Sequence, residues 1–410
     1  MKLLTAAPLT YLCFSMCMLP NCFFPSLLLA EPWKRHVVDQ SSKGADGVRL
    51  ADANRDGRLD VVTGWEEGGV IRVCLHPGEK EVTKPWPSVT VGKVKSAEDA
   101  VLVDLDGDGA LDVVSCCEGK TRTMFIHWAP SEPQRYLQED AWKTEAIPAT
   151  QNKQMWMQAL PFDVDGKHGI DLIVASKAGG ASIGWLQSPA DPRKVEDWTF
   201  HPWYQAGWIM SLESFDVDGD GDLDVVSSDR KGAKSGVLWL ENPGHEASAR
   251  HQVWAEHRIG AAKREVMFLA LGDLDDDGQT DVVAASHNLA ILVCRRMKAE
   301  KPTWKEEEIP APYGIQNGKG LGIADMDLDG KLDLVLTKEP DGDRTKPGVL
   351  WMSRTADGWQ PHDVSGPQGM KIDQVKLLAL DGDGDLDILT CEERDNLGVI
   401  WYENPTRQPK

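Results

Sequence analysis

Seven short stretches of this chain place aspartates at alternate positions, in the form D-x-D-x-D-G-x-x-D or a close variant. Carboxylates spaced in this way on a tight turn can converge on one hard cation, and a glycine at position 6 permits the bend. Four copies are intact: DLDGDGALD from Asp104, DVDGDGDLD from Asp216, DLDDDGQTD from Asp273 and DMDLDGKLD from Asp325. Three are variants: DANRDGRLD from Asp52, DVDGKHGID from Asp163 and ALDGDGDLD from Ala379. An EF-hand would need flanking helices and a glutamate at position 12. Ser115, Ser227 and Ala284 stand there instead, and β-branched runs such as LDVV follow directly. The stretch therefore reads as a strand–loop–strand calcium turn.

In such a turn the side chains at positions 1, 3, 5 and 9 and the carbonyl at position 7 are the ligands. Loop two then offers Asp104, Asp106, Asp108 and Asp112 with the Ala110 carbonyl. Loop four offers Asp216, Asp218, Asp220 and Asp224, and loop five Asp273, Asp275, Asp277 and Asp281. Loop six offers Asp325, Asp327, Asp329 and Asp333. Loop one, with Asp52, Asn54, Asp56 and Asp60, replaces one carboxylate by a neutral oxygen and is expected to bind more weakly. Loop seven keeps Asp381, Asp383 and Asp387 but has Ala379 at position 1. Loop three has Lys167 at position 5, and its ammonium is expected to lie among Asp163, Asp165 and Asp171 in place of an ion. Four to six Ca²⁺ are expected in all. The apolar residue at position 8 (Leu59, Leu111, Ile170, Leu223, Leu332, Leu386) is expected to anchor each loop to the core.

The loops start 52 to 59 residues apart, a period that indicates a propeller, solenoid or array. Each loop lies between two short apolar segments, A before it and B after it. A third segment, C, carries tryptophan in GVLWLENP, GVIWYENP, GVLWMS and SIGWLQSP. A fourth, D, opens on Trp33, Trp86, Trp142, Trp198, Trp254, Trp304 or Trp359. Four strands per unit and seven units predict an all-β, seven-bladed β-propeller. The chain opens on a D segment and ends on A, B and C, so the N-terminal strand is expected to complete the last blade and remove two open edges.

These loops, with the W-x-E-N-P strand, resemble the FG-GAP/VCBS repeat family of secreted bacterial type, related to the integrin α-subunit head. The resemblance runs from Trp33 to Pro405. It implies a calcium-loop propeller and a secreted protein that binds or adheres.

Composition agrees. The formal charge of −21 gathers at the loops, where calcium would offset much of it, and it argues against a nucleic-acid partner. Residues 1–30 read as a secretory signal: Lys2, an apolar run to Ala30, then Glu31-Pro32. The propeller then occupies residues 31–410, and the protein is expected to be secreted, periplasmic or on the cell surface. Nothing after the leader is long enough to span a membrane. Cys74, Cys116, Cys117, Cys294 and Cys391 are odd in number and read as buried small hydrophobes.

No H-E-x-x-H or Walker loop is present. His127, His201, His251, His257 and His362 read as structural. The loops of one face are committed to metal, so the opposite face is the candidate for binding. Four tryptophans outside the repeat (Trp65, Trp156, Trp203 and Trp208), together with His287 at a loop tip, are the candidates there. An aromatic platform of Trp156, Trp203 and Trp208, with Trp65 across the opening, is expected. Charged residues after the B segments (Glu66, Glu118, Lys177, Asp229, Arg230, Lys338, Glu339, Glu392, Glu393) read as solvated tips. The favoured function is non-catalytic binding or adhesion to an extracellular glycan or protein. The alternative is a polysaccharide lyase-like enzyme using Lys177, Arg230, His287 and Lys338 on the same face.

Overall fold

Each apolar run that follows an aspartate loop becomes the second strand of a four-stranded antiparallel sheet in the computed structural model, which describes residues 31–287, 290–340 and 342–407. The expected leader, residues 1–30, lies outside the described residues. Blade one consists of Ala45–Ala51, Asp60–Trp65, Val70–Cys74 and Ser88–Gly92, hydrogen-bonded in that order. Blades two to six repeat the order A-B-C-D. Blade seven takes Lys376–Leu378, Asp387–Glu392 and Gly398–Glu403 from the C-terminus and Lys34–Asp39 from the N-terminus. The N-terminal strand pairs antiparallel with Gly398–Glu403 from Lys34↔Glu403 onward. The ring is thus closed as the strand order predicts. The A strands of neighbouring blades touch one another and surround the central channel.

The B strands explain the continuous apolar runs. In six blades all six B-strand residues are buried, so neither face needs polar side chains. The cores lie between blades: one contains Val62, Ile71 and Val73 of blade one with Ala97, Val113 and Cys117 of blade two. All five described cysteines are free and buried.

Position 9 of the loop sets the register. In every blade this aspartate is the first B residue and faces the last A residue, from Ala51↔Asp60 to Leu378↔Asp387. One carboxylate oxygen accepts the N–H of loop position 2 at 2.8–3.3 Å. The other accepts the N–H of the third residue after the C-strand tryptophan position, at 2.7–3.0 Å.

The main anchor to the core is therefore position 2, with position 8 contributing in part through Leu111, Ile170 and Leu386. Ala53, Leu105, Val164, Val217, Leu274, Met326 and Leu380 are all buried. Leu59 and Leu223, at position 8, are 43% and 50% exposed, and the other position-8 residues are half-buried. The aspartate draws the position-2 amide inward and its side chain follows. Leu59 and Leu223 at position 8 are left on the rim.

The W-x-E-N-P strand is a set of cross-strand ties. Trp239 and Trp401 stack on His257 and His36 of strand D at 4.3 Å. Glu241 and Glu403, two residues on, bond those same histidines at 2.6 and 2.7 Å. Trp185–His201 and Trp351–His362 repeat the ring contact. His201, His257 and His362 are thus structural, as expected. Asn404 Nδ2 then donates to the carbonyls of Leu386 and Met326, tying blade seven to loop six. Asn242 Nδ2 reaches Leu223 alone. Stranding buried carbonyls costs about 1–3 kcal/mol, so Asn404→Ala is predicted to destabilise by about that much and by more than Asn242→Ala. Denaturant unfolding at fixed calcium checks the ranking.

Candidate functional site

The seven loops share one backbone path. Position 4 is left-handed in each, with φ between 59° and 82° at Arg55, Gly107, Gly166, Gly219, Asp276, Leu328 and Gly382. Position 6 is left-handed too, at Gly57, Gly109, Gly221, Gly278, Gly330 and Gly384 and at His168. In loops one, two, four, five and six the position-1 carboxylate accepts the position-6 N–H at 2.7–3.1 Å. Ala379 cannot do this in loop seven. The turn is thus built on hydrogen bonds to the same carboxylates that were expected to bind metal.

The donor sets fit a hard cation unequally. Carboxylate oxygens lie within 4.8 Å of one another at Asp104, Asp106 and Asp108, at Asp216, Asp218 and Asp224, and at Asp273, Asp275 and Asp277. Asp163, Asp165 and Asp171 of loop three also gather in this way. Lys167 does not lie among them. Its side chain is exposed, and its ammonium has no ion pair among the described residues. The residue that does reach in is Gln187, which donates to Asp165 at 3.1 Å.

Three loops with complete aspartate sets hold a protein cation, the most exposed being Lys331 on Asp329 of loop six at 2.7 Å. Arg295 lies 3.0 Å from Asp281 and 3.3 Å from Asp275 in loop five. It stands where strand C of blades four and seven has Glu241 and Glu403, and it pairs with Glu307 at the histidine position. Arg193 of blade three bonds Asp106 of loop two at 2.5 Å. Loop four has no basic side chain in ion-pair distance among the described residues.

At the other end of the blades, two rings converge on the channel mouth. The first is the residue six after each position-9 aspartate: Glu66, Glu118, Lys177, Arg230, His287, Glu339 and Glu393. All seven are ionisable, one per blade. The second ring comes from irregularities in the A strands. Register shifts occur at Asp46/Arg49, Ala97/Asp99, Trp156/Gln158, Ile209/Ser211, Val266/Leu269 and Gly318/Leu321. In blade seven a bridge at Ile372↔Glu392 precedes Lys376↔Leu389, one residue out of step. The extra residue of a bulge re-aims its side chain. Gly47, Glu98, Met157, Met210, Phe268, Lys319 and the pair Asp373–Gln374 line a cavity of about 270 Å³ at the mouth.

The mouth is a network of charges, not a set of solvated tips. Lys177 sits between Glu98, at 2.9 Å, and Glu118. Arg230 binds Glu265 at 2.7 Å and approaches Glu339 at 3.7 Å. Lys319 and Asp373 pair at 2.8 Å, both buried. Lys371 pairs with Glu393. His287 lies 3.4 Å from Glu265 and 3.3 Å from Glu339. Burial and the neighbouring Asp373 hold Asp46 well above the carboxylate range. Asp229, Lys338 and Glu392 are buried and brace backbone: Asp229 accepts the Gly207 and Trp208 amides, and Glu392 five amides of its own connector region. Lys338 donates to the Asp343 carbonyl.

The expected aromatic platform does not form. Trp65 and Trp156 are fully buried, in two different interblade cores. Trp203 stacks on Trp254 at 4.6 Å. Strand pairing directs these rings into the blades even though their backbones reach the expected face. Trp208 does line the mouth, with Lys177 and Arg230 at 4.6 and 4.7 Å from its ring centre and Lys231 at 4.8 Å. His287 is at the mouth as expected, as a ring member.

Residues 52–115 match the FG-GAP-like repeat family, and the loop path, register and aspartate bonds of that segment recur in all seven blades. The chain is a seven-bladed propeller with an FG-GAP-like repeat. No curated protein sequence matches it. Among solved structures, BBS1N, crystallised in complex with ARL6DN and soaked with lead, is similar over 92% of this chain and 98% of that one, at 11% identity and a TM-score of 0.52. An Agrocybe aegerita lectin, solved for its recognition of non-reducing terminal N-acetylglucosamine, aligns over 78% of this chain and 79% of that one at 14% identity and a TM-score of 0.44. At such identities the likeness to BBS1N concerns the fold alone.

The propeller's mouth makes a pH prediction. Burial alone would raise the Glu339 carboxyl, but the adjacent His287 and the charges of Lys319 and Arg230 bring it down to about 2. A free glutamate titrates near 4.3, so the folded value lies below the unfolded one. The stabilisation is full above roughly pH 5 and is lost as pH falls toward 2. Glu339→Gln should therefore lower the melting temperature at neutral pH and flatten the acid limb of a melting-temperature profile.

Proposed function

We propose that this propeller is a secreted, calcium-stabilised, non-catalytic binding module that takes an extracellular glycan or protein ligand at the channel mouth. The observation that carries the reading is the convergence there of one ionisable side chain per blade around a cavity, on the face away from the aspartate loops. The loops spend their groups on holding the turn. The mouth gathers charge and the Trp208 ring on a rigid frame, which suits binding. The lyase-like alternative would put Lys177 and Arg230 on a substrate carboxylate and use a free base. Both cations are already paired with carboxylates, which favours binding.

Screening the full chain against glycans, polysaccharides and extracellular proteins, with detection of unsaturated sugar products, tests this. Trp208→Ala is predicted to weaken any ligand so found at least tenfold. Equal binding by the variant would move the site elsewhere, and unsaturated products would favour the lyase.

Calcium supports the reading from the loop side. Burial pushes Asp112, Asp171, Asp224 and Asp387 up to about 7 and Asp60 up to about 6. A cation beside these groups would relieve that cost. Asp216, Asp218, Asp220 and Asp224 of loop four, and the equivalent aspartates of loop six, would hold it as oxygen ligands. Loops two and five, with Arg193 and Arg295 on their carboxylates, would bind more weakly than their aspartates alone suggest.

At a Kd of roughly 10⁻⁴–10⁻³ M, each site would contribute about 0.4–1.4 kcal/mol in millimolar calcium. Chelation is thus predicted to lower the melting temperature, and Arg295→Gln to enlarge the calcium-dependent rise. A melting temperature unmoved by EGTA would exclude structural calcium, and an unchanged rise in the variant would remove Arg295 from the site.

A further inference from the structure

The charges at the channel mouth are unevenly placed. Its lining carries six carboxyl groups and four cationic groups, an excess of two acids. The cations are Lys177, Arg230, Lys319 and Lys371, and each has a carboxylate partner. Glu66 has no ion pair among the described residues. It lies between acidic ring members, Glu393 of blade seven and Glu118 of blade two. Carboxylate oxygens of Asp46, Glu66 and Glu98 lie within 4.8 Å of one another.

Two further observations point to something these acids would hold. Gln374 and Asp373 line the same cavity and are 7% and 1% exposed. Gln374 Oε1 is buried and accepts no hydrogen bond from the protein among the described residues. A buried acceptor without a donor is costly, and a ligand that needs oxygen donors would remove that cost. Calcium takes six to eight oxygens at about 2.3–2.6 Å, so oxygens around one ion can lie up to about 5 Å apart. The spacing at the mouth fits that sphere. The donors are all oxygen, which suits a hard cation and not zinc or copper.

We infer that the channel mouth holds a divalent cation of calcium type between Asp46, Glu66 and Glu98, with Gln374 and Asp373 as further oxygen donors. The site is separate from the aspartate loops, which lie at the other end of the blades. It rests on reading the mouth as the binding face, and it divides that face. The acids of blades seven, one and two hold the ion, and Lys177, which bonds Glu98, links that sector to Arg230 and Trp208.

Metal alone tests the site, without any macromolecular ligand. Crystals of the full chain soaked in manganese should show an anomalous peak between Asp46, Glu66 and Glu98. In solution, Glu66→Gln should lower the calcium stoichiometry by one. Gln374→Met leaves every charge in place and should weaken that same equivalent at least tenfold, which keeps the test open should Glu66→Gln not fold. Manganese peaks at the loops with none at the mouth, or unchanged calcium binding in both variants, would overturn the inference. The ligand screen and the metal measurement are independent: an ion at the mouth with no effect of Trp208→Ala would refute the ligand site and leave the metal site standing.

Discussion

The structure depends on one aspartate per blade. The residue at loop position 9 is buried and carries two backbone hydrogen bonds, one to the loop and one to the end of strand C. A buried carboxylate is expensive unless its oxygens are bonded. Here both are, and in return the residue fixes three things together: the turn of the loop, the start of strand B and the exit of strand C. Because seven copies share one register, the seven blades share one geometry. That identity lets residues six places further on meet in a ring. The channel mouth is a consequence of the position-9 aspartates, about twenty ångströms of strand away by the usual rise of about 3.3 Å per residue.

Much of this was legible in the sequence because it repeats. Period, strand alternation and the incomplete first and last units determine a seven-bladed ring and its closure. The repeat also marked His201, His257 and His362 as structural, and the structure supplies the reason in the tryptophan and glutamate of strand C. Errors came where side-chain direction decides. Position 8 is apolar in six of the seven loops, yet position 2 is the one whose amide is held by the buried aspartate. Trp65 and Trp156 were rightly placed near the mouth by chain order, but strand pairing turns their rings inward.

The mouth itself was half visible. Its first ring consists of residues already noted after the B strands, and counting six from each position-9 aspartate would have shown that they are equivalent. The second ring had no such signal. A bulge adds one residue to the A strand and leaves no mark on hydrophobic alternation when that strand is buried. Glu98, Lys319 and Asp373 were therefore hidden in segments that read as ordinary inner strands. The buried pair of Lys319 and Asp373 is the kind of feature that sequence patterns miss, since each residue alone looks like a surface charge.

The two ends of the blades solve opposite problems. At the loops, aspartates are crowded by the turn that they build, and each blade differs in what neutralises them: Arg193 in loop two, Arg295 in loop five, no ion-paired base in loop four. At the mouth, acids and bases come from different blades and are matched across the channel. The match is local and incomplete. Lys177 and Arg230 gather on Trp208, and the acids of blades seven, one and two are left in excess. A channel whose lining were fully paired would be a plug. This one gathers Lys177 and Arg230 at Trp208 and leaves Glu66 without an ion pair among the described residues, and an uneven charge held by a rigid ring is a property that a ligand can read.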